Sequence, residues 1–183
     1  MDLGPQPELR SDRLWLSAFV TGDVQAVFDY AKNPQVARHT TWKPHQSLAD
    51  AEGFIDMVRG YEDGFCWAIR LAPDGPARGA VEFCLSDSSN GSVHYVLAEE
   101  LWNRGLMTEA VTTVLQWAFE TFDSLERVKT TTTSANTGSR RVLEKCGFEF
   151  TGTVVEKWAK SSEPVELATY ELSRERWVTR PGA

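Results

Sequence analysis

The chemistry of this chain is most visible in the stretch LAEELWNRGLMTEAVTTVLQWAFE, residues 97–120, where an apolar strand leads into an amphipathic helix. Asn103 and Arg104 bring two donor side chains, and Gly105 follows them just before the predicted helix. Glycine lets the backbone turn its N–H groups inward and lets an anion approach without a Cβ in the way. Because the N-terminus of a helix attracts negative charge, this stretch predicts an anion-binding site.

The predicted anion site suits a diphosphate group that belongs to a larger ligand. Each anionic charge gains about 0.3–1 kcal/mol from the helix dipole, and hydrogen bonds to charged groups add roughly 1.5–3 kcal/mol each. A micromolar ligand needs about 8 kcal/mol in total, so the rest of it must bind along the neighbouring strand edges. The chain contains neither G-x-x-x-x-G-K-[ST] nor G-x-G-x-x-G, which sets aside the phosphate-loop and dinucleotide-binding folds.

The composition of the 183-residue chain is typical of a globular protein with one domain. No apolar run approaches the roughly 20 residues of a membrane span, and we expect neither a membrane partner nor a secretion signal. The three cysteines are odd in number and far apart, which favours free thiols, no metal site and a cytoplasmic location. The formal net charge of −7, with no basic run, argues against a nucleic-acid partner and is compatible with an amine.

The residue pattern predicts the order strand, two helices, three antiparallel strands, helix, strand, helix and two strands. These elements span residues 8–177, and we expect loose tails at residues 1–7 and 178–183. Because a long helix connects SVHYVLA to RVKTTTT, these two strands should be parallel neighbours. Anion sites in such sheets lie beyond the C-terminal ends of the strands, where the predicted helix begins.

The predicted helices carry recognisable start and stop signals. Thr21 is expected to cap the first helix, Ser47 and Asp50 form a capping arrangement for the second, and Gly64 ends that second helix. The long helix after Gly105 has the cleanest apolar stripe in the chain. This stripe consists of Val111, Val114, Leu115, Ala118, Phe119 and Phe122.

Three strings of the chain resemble motifs of the Gcn5-related N-acetyltransferases, the GNAT family, and occur in the family's order. WKPHQSLADAEGFI resembles the W-x-P-H-x-S-x-x-D-A-x-x-F-I of the branch that contains the ribosomal-protein N-terminal acetyltransferases RimJ and RimL. WNRGLM corresponds to the acetyl-CoA motif [QR]-x-x-G-x-[GA], from which Trp102 and Met107 depart. NTGSRRVLEKCGF is similar, almost position by position, to N-x-x-S-x-x-V-L-E-K-x-G-F.

The resemblance implies a GNAT-type α/β fold, with a mostly antiparallel sheet, one splayed parallel strand pair and flanking helices. It also implies direct transfer of acetyl from acetyl-CoA to a primary amine, with no acyl-enzyme and no metal. Backbone N–H groups at the strand end near Val96 and Leu97 are expected to bind the pantetheine arm and the thioester oxygen. The other cofactor contacts are expected from Asn103, Arg104, Gly105, Leu106, Met107, Thr108, Asn136, Ser139 and Arg141.

Ser139 is the expected proton donor to the departing thiolate. Many family members use a tyrosine seven residues after the motif asparagine, but that position is Leu143 here. In the branch that this chain resembles, the serine three residues after Asn136 takes over this role. A cap at the start of the helix is the alternative role of Ser139. Tyr170 is a reserve acid, although a strand tyrosine more often belongs to the core.

Two carboxylates and two aromatic residues complete the expected site. Glu156 lies near the position of the branch's base, and Glu82 is an unusual acid among apolar strand neighbours. Either carboxylate could instead face solvent on a half-exposed sheet. Trp42 and His45 lie in the loop that walls the acceptor pocket in this branch, and simple packing is their alternative role.

The expected acceptor is the N-terminal α-amine of a protein or peptide. Making a lysine side chain neutral at pH 7 costs about 4.6 kcal/mol, against about 1 kcal/mol for an α-amine, so a weak base suffices for the α-amine. Two alternatives remain open. The first is a small amine (an amino sugar, polyamine, amino acid or aminoacyl-nucleotide). The second is a non-catalytic acyl-CoA-binding module, which Leu143 motivates. We expect a monomer or a homodimer.

Overall fold

A mixed sheet of eight strands with helices on both faces forms the part of the chain that the computed structural model describes, residues 3–180. The strands are β1 (Leu9–Arg10), β2 (Trp15–Ala18), β3 (Gly64–Arg70), β4 (Gly79–Leu85), β5 (Asn90–Leu97), β6 (Arg127–Thr133), β7 (Glu149–Glu156) and β8 (Val165–Ser173). The α-helices are α1 (Val24–Ala31), α2 (Pro34–Ala37), α3 (Leu48–Arg59), α4 (Leu106–Thr121), α5 (Thr137–Lys145) and α6 (Arg174–Thr179), and 3₁₀ turns span Thr21–Asp23 and Glu99–Leu101. The predicted fold class is confirmed.

The strands follow the spatial order β1-β2-β3-β4-β5-β6-β8-β7, and β5 and β6 form the parallel pair that the sequence predicts. Their pairing covers only three positions: Asn90 opposite Arg127, Gly91 opposite Val128, and Ser92 opposite Lys129. Every other neighbouring pair in this order is antiparallel. Because pairing ends at Ser92 while β5 continues to Leu97, the C-terminal half of β5 has a free edge toward β6. This gap lies beside the start of α4.

The two faces of the sheet bury separate cores. The apolar stripe of α4 packs on one face against Trp67, Val81 and Phe83, as the sequence predicts. On the other face, α1 and α3 pack against Ala68 and Ala80. Small residues on this second face let the helices approach the sheet closely, whereas the aromatic residues fill the larger space under α4.

Two predicted helix signals are wrong, and one is confirmed. Thr21 does not cap α1; instead Asp23 accepts a hydrogen bond from Val20 N–H and pairs with Arg70, which lies 47 residues away. α3 ends at Arg59, with Gly60 as its cap, and Gly64 already belongs to β3. The Asp50 carboxylate accepts hydrogen bonds at the start of α3 from Gln46 N–H (2.7 Å) and Ser47 N–H (3.0 Å), as expected.

Gly64 is needed for a close approach of strands rather than for a helix end. A Cβ at Gly64 would lie 2.3 Å from the Phe83 carbonyl oxygen, so β3 and β4 cannot take a larger residue at this point. The Asn33–Pro34 pair begins the short helix α2. Asn33 caps α2 by accepting a hydrogen bond from Gln35 N–H, and Pro34 occupies the first helical position.

The packed part of the chain extends beyond both predicted boundaries. Gln6 Nε2 donates to Cys66 O, and Trp67 Nε1 donates to Pro7 O at 2.7 Å. Residues 6 and 7 are therefore hydrogen-bonded to β3. At the other end, residues 178–179 belong to α6. Of the expected tails, residues 1–2 and 181–183 lie outside the described residues. No helix within residues 3–180 is long and apolar enough to cross a membrane.

Candidate active site

The N-terminus of α4 is open and positively polarised. Asn103 has φ 60° and Gly105 has φ 75°, so two residues with left-handed backbone conformation flank Arg104. Asparagine and glycine tolerate this backbone region better than other residues. Within residues 3–180 no side chain caps α4, and its first backbone hydrogen bond runs from Glu109 N–H to Gly105 O. The amide groups of Leu106, Met107 and Thr108 therefore lie ahead of the helical ladder, as an anion site requires.

The side chains around this helix start divide into buried and available groups. Leu106 and Met107 are only 6% and 7% exposed, so they can reach a ligand through their backbone but not through their side chains. Asn103 and Arg104 are exposed, as is Arg141 on α5. Neither guanidinium has an ion pair or a hydrogen bond within residues 3–180. Arg104 thus brings one unpaired cation directly before an uncapped helix N-terminus, and Arg141 is a second exposed cation on α5.

The loop before α4 is held by the β1–β2 turn. The Glu109 carboxylate accepts hydrogen bonds from Ser11 Oγ (2.7 Å), Arg13 N–H (2.9 Å) and Arg13 Nε (2.7 Å). Arg13 also donates through Nη1 to Arg104 O at 3.1 Å. Arg13 therefore connects the first turn of α4 to the left-handed loop, and the sequence analysis missed this contact because it joins residues more than 90 positions apart.

Glu109→Gln is expected to lower the free energy of unfolding by about 1–2 kcal/mol at pH 7. Partial burial raises the pKa of Glu109, but hydrogen bonds from Ser11 and Arg13 outweigh it and hold the pKa below its usual value. The stabilisation is therefore complete above the unfolded-state pKa and is lost as pH falls through the lower folded-state pKa. Urea unfolding of the wild type and the variant should show a smaller difference in unfolding free energy in acid than at pH 7. An equal difference at both pH values would contradict this role of Glu109. Glu120→Gln, at an exposed position later on α4, is the matched control.

Hydrogen bonds at both ends of β5 show which backbone groups face β4. Ala98 N–H donates to Arg78 O, and Ser86 N–H donates to Asn90 O, both at 2.8 Å. Because backbone direction alternates along an antiparallel strand, the even-numbered residues of β5, including Val96, turn their polar groups toward β4.

The odd-numbered residues of β5 face the gap toward β6. Val93 O accepts a hydrogen bond there from Thr130 Oγ1 at 2.6 Å, and Leu97 O accepts one from Trp102 Nε1 at 2.8 Å. The N–H groups of Tyr95 and Leu97 consequently lie on the free edge. Of the two expected backbone contacts, Leu97 faces the gap, whereas Val96 turns its polar groups to the sheet and Tyr95 faces the gap instead.

Trp102 links the strand end to the anion loop, which gives a structural reason for its departure from the family motif. Trp102→Phe keeps a ring but removes the N–H that binds Leu97 O. A net hydrogen-bond contribution of about 1 kcal/mol corresponds to a rise of about fivefold in KM for acetyl-CoA, with kcat little changed. Steady-state kinetics would measure this, with Trp15→Phe on the distant strand β2 as control. An unchanged KM would show that this bond does not shape the cofactor site.

Ser139 and Asn136 occupy the first turn of α5, but the cap is Asn136. Asn136 Oδ1 accepts a hydrogen bond from Ser139 N–H at 3.1 Å, and its Nδ2 has no partner within residues 3–180. The Ser139 hydroxyl does not cap the helix. It lies 2.8 Å from the hydroxyl of Tyr95 on β5. The structure thus brings a serine and a tyrosine together across the β5–α5 boundary, and the sequence analysis did not find the tyrosine.

Three other candidate groups belong to the core. Leu143, at the position of the usual acid, is 0% exposed. Tyr170 is 1% exposed, and its hydroxyl accepts a hydrogen bond from Arg140 Nε at 3.0 Å. Cys146 is buried, and burial raises the pKa of its thiol to about 11, so little thiolate is present at neutral pH.

The two carboxylates proposed as bases lie too far apart to serve one centre. Glu82 is on β4 and Glu156 on β7, and the sheet order places β5, β6 and β8 between them. At about 4.8 Å per strand, four steps separate them by roughly 19 Å. Glu82 accepts a hydrogen bond from Tyr61 OH at 3.0 Å, whereas the exposed Glu156 accepts one from Trp158 Nε1 at 3.3 Å.

A cavity of about 580 Å³ opens at the C-terminal end of β6. It is bounded by α2 and the loop after it, by the residues that precede α5, and by the β7–β8 loop. Its lining residues are Arg38, His39, Thr133, Ser134, Ala135, Trp158, Lys160, Ser161, Pro164, Val165 and Glu166. Ser134 Oγ is buried there with no hydrogen-bond partner in the described part of the chain, so it can bind a polar ligand.

The imidazole of His39 is a candidate proton acceptor that the sequence analysis missed. His39 Nδ1 lies 2.6 Å from Thr133 Oγ1. Burial lowers the pKa of His39, and the cations Arg38 and Lys160 lower it further, so the ring is neutral at pH 7. The positive charges of Arg38 and Lys160 disfavour protonation of the ring and so favour the neutral imidazole.

Lys160 fixes the loop that carries Trp42 and His45. Its Nζ donates to Ala37 O (2.5 Å) and to Trp42 O (3.2 Å), and burial lowers its pKa. Trp42 and His45 contact each other, with ring centroids 5.3 Å apart. Neither side chain lines the cavity, whereas His39 and Lys160 do.

Comparisons with known proteins agree with this architecture. A family model described as "Acetyltransferase (GNAT) domain" matches residues 13–149. The uncharacterized N-acetyltransferase YoaA of Bacillus subtilis is 23% identical over 175 residues, covering 93% of this chain and 98% of YoaA.

Two solved structures from Vibrio cholerae are similar to the chain in fold. One is assigned as a ribosomal-protein-serine acetyltransferase, with TM-score 0.79 and 18% identity over 94% of this chain and 99% of that protein. The other is a spermidine N-acetyltransferase in complex with CoA and spermine, with TM-score 0.76 and 16% identity over 92% and 99%. With a family model that matches well over half of its length, this chain belongs to the GNAT acetyltransferases, which take acetyl from acetyl-CoA and transfer it to an amine.

Proposed function

We propose that this enzyme acetylates the N-terminal α-amine of a protein or peptide in the cytoplasm, as the RimJ/RimL-like branch does. The observation that carries the proposal is the charge of the cavity at the end of β6. Arg38 and Lys160 line it, and Glu166 is its one carboxylate. A polyamine would meet repulsion there, whereas the carbonyl groups of a peptide would find donors in Arg38 and Ser134 Oγ, because the Lys160 ammonium is already bound to backbone carbonyls.

The two Vibrio cholerae proteins illustrate these alternatives without deciding between them. Spermine is a polycation, and a pocket for it needs several carboxylates. A protein N-terminus carries one positive charge followed by a chain of carbonyl acceptors. The cavity of this enzyme has the composition expected for the second kind of ligand, and its opening to the surface suits a chain that continues outward.

Backbone amides and polar side chains along the gap between β5 and β6 match the hydrogen-bonding needs of acetyl-CoA. The uncapped amides of Leu106, Met107 and Thr108 would hold the diphosphate, and the exposed guanidinium groups of Arg104 and Arg141 would contribute charge. The free-edge N–H groups of Tyr95 and Leu97 would hold the pantetheine arm and polarise the thioester oxygen, and Asn136 Nδ2 is a further donor. A diphosphate neutralises the exposed helix N-terminus in this arrangement.

The reaction needs a neutral amine and a proton for the leaving thiolate. Ser139 would donate that proton from the first turn of α5. An α-amine loses its proton at a cost of about 1 kcal/mol at pH 7, so the neutral imidazole of His39, Glu156 or a bound water would suffice as acceptor. Glu82 lies on β4, one strand from the gap, and is the less suitable base because Tyr61 already binds its carboxylate.

The test is thiol release from acetyl-CoA with matched acceptors. Peptides that begin with serine or alanine should be acetylated, and the same peptides with a formylated N-terminus should not. Mass spectrometry of a peptide containing an internal lysine should place the acetyl group on the α-amine. Turnover only with spermidine, amino sugars or free amino acids would overturn the peptide proposal, and tight CoA binding without turnover on any amine would favour a binding module.

A further inference from the structure

The contact between Tyr95 and Ser139 determines where the serine hydrogen can point. Tyr95 OH lies 2.8 Å from Ser139 Oγ and 3.2 Å from the Ser139 carbonyl oxygen. A phenol has one hydrogen to donate, and a carbonyl oxygen can only accept. If Tyr95 donated to the carbonyl, its oxygen would hold the serine hydrogen away from the gap. If Tyr95 donates to Oγ, the serine hydrogen is free for another acceptor.

The geometry favours the second arrangement. The 2.8 Å separation is the usual distance for an O–H···O bond, whereas the carbonyl contact at 3.2 Å is longer than the usual range of about 2.5–3.0 Å. Ser139 N–H is already bound to Asn136 Oδ1, so the backbone of Ser139 is fixed and only its hydroxyl can rotate. Tyr95 packs against the core under α4, which keeps its ring in place.

The phenol of Tyr95 also stays protonated at neutral and mildly alkaline pH. Burial raises the pKa of its phenol, and the hydrogen bond to Ser139 only partly opposes this shift. Among the groups facing Tyr95, the thiol of Cys146 and the phenol of Tyr170 also raise the pKa. Tyr95 is therefore a permanent donor and does not itself supply the proton that reaches the sulfur.

We propose that Tyr95 is a positioning residue that donates its phenolic hydrogen to Ser139 Oγ and thereby directs the serine hydrogen to the departing sulfur. The inference rests on the proposed role of Ser139. As the amine nitrogen bonds to the acetyl carbon and the carbon–sulfur bond breaks, the thiolate takes the serine proton. The Tyr95 hydrogen bond stabilises the charge left on Oγ. The surplus proton of the amine nitrogen, passed on through water, restores the serine, so the protons balance.

The test is a double-mutant cycle with Tyr95→Phe, Ser139→Ala and the double variant, run with the amine that the enzyme acetylates fastest. Tyr95→Phe keeps the ring and removes only the hydroxyl. We expect it to lower kcat about tenfold with KM for acetyl-CoA and the thermal unfolding temperature nearly unchanged. In the Ser139→Ala background, the same change should alter kcat by less than twofold, because there is no hydroxyl left to direct.

The outcomes separate this inference from the function on which it rests. An equal fall in kcat in both backgrounds would show that Tyr95 acts independently of Ser139 and would overturn the inference alone. An unchanged kcat for Tyr95→Phe would do the same. An unchanged kcat for Ser139→Ala would remove the serine itself from the mechanism. Ser139→Thr, which keeps a hydroxyl, should retain its dependence on Tyr95, and Ser139→Gly, which also lacks the hydroxyl, completes the cycle if the alanine variant fails to fold.

Discussion

Ser139→Ala is expected to lower kcat by about 10²-fold, with KM for acetyl-CoA within about threefold of the wild type. Proton transfer by a positioned side chain typically contributes 10²–10⁴-fold, and the low end applies because water can partly replace a serine hydroxyl. The hydroxyl contacts Tyr95 and not the helix backbone, so its loss leaves the cap of α5 in place. Steady-state kinetics with a saturating amine would measure the split between kcat and KM.

Thr137→Ala is the matched control for Ser139. Thr137 is an exposed hydroxyl residue in the same turn of α5, so its removal tests whether any change in this turn impairs turnover. It should leave kcat within about twofold of the wild type. Equal losses for the two variants would show that the helix start matters, not the Ser139 proton, and an unchanged kcat for Ser139→Ala would remove the proposed acid.

Gly105→Asp is expected to weaken CoA binding by about 10²-fold or more. The Cβ would obstruct the approach of the diphosphate, and the carboxylate would repel it at the helix N-terminus where anions otherwise gain stability. Aspartate and asparagine both tolerate a positive φ, and a Cβ here meets no protein atom closer than 3.6 Å, so the protein should still fold. Isothermal titration with CoA would measure the change.

Gly105→Asn separates the charge from the added side chain. It has the same size and the same backbone requirement but no negative charge, so we expect a loss of about tenfold. The difference between the two variants should shrink at high salt because ions screen exposed charges. Gly147→Asn, at a positive φ of 93° after α5, controls for strain alone and should bind CoA normally. Equal binding by Gly105→Asp and Gly105→Asn would mean that no anion sits at this loop.

Local patterns were sufficient for the fold and for the two helix starts at which the cofactor site is proposed. The stripe on α4 shows a helical period, and RVKTTTT is rich in β-branched residues that favour strands. A helix between two strands forces a parallel crossover, which predicts the β5–β6 pair correctly. The resemblance to GNAT motifs then located Gly105 and Asn136 at the starts of two helices, where the structure has them.

Contacts between distant residues could not be predicted in this way. Tyr95 and Ser139 are 44 positions apart, and nothing in the local pattern of β5 distinguishes this tyrosine from a core residue. His39 meets Thr133 across 94 positions, and Lys160 meets Ala37 across 123. The cap predicted at Thr21 is wrong for the same reason, because the neighbouring Asp23 pairs with Arg70 on β3, far away in the sequence. Sequence spacing identifies where a helix starts, but not which distant residue its side chains contact in the folded protein.

The central claim is that the loop before α4 grips the diphosphate of coenzyme A and leads its thioester into the gap between β5 and β6. A crystal structure of the enzyme grown with coenzyme A tests this most directly. The account predicts the diphosphate on the amides of residues 106–108, the pantetheine arm along the free edge at Tyr95 and Leu97, and the sulfur beside Ser139. A coenzyme bound elsewhere, with this loop empty and no arm beside β5, would contradict it.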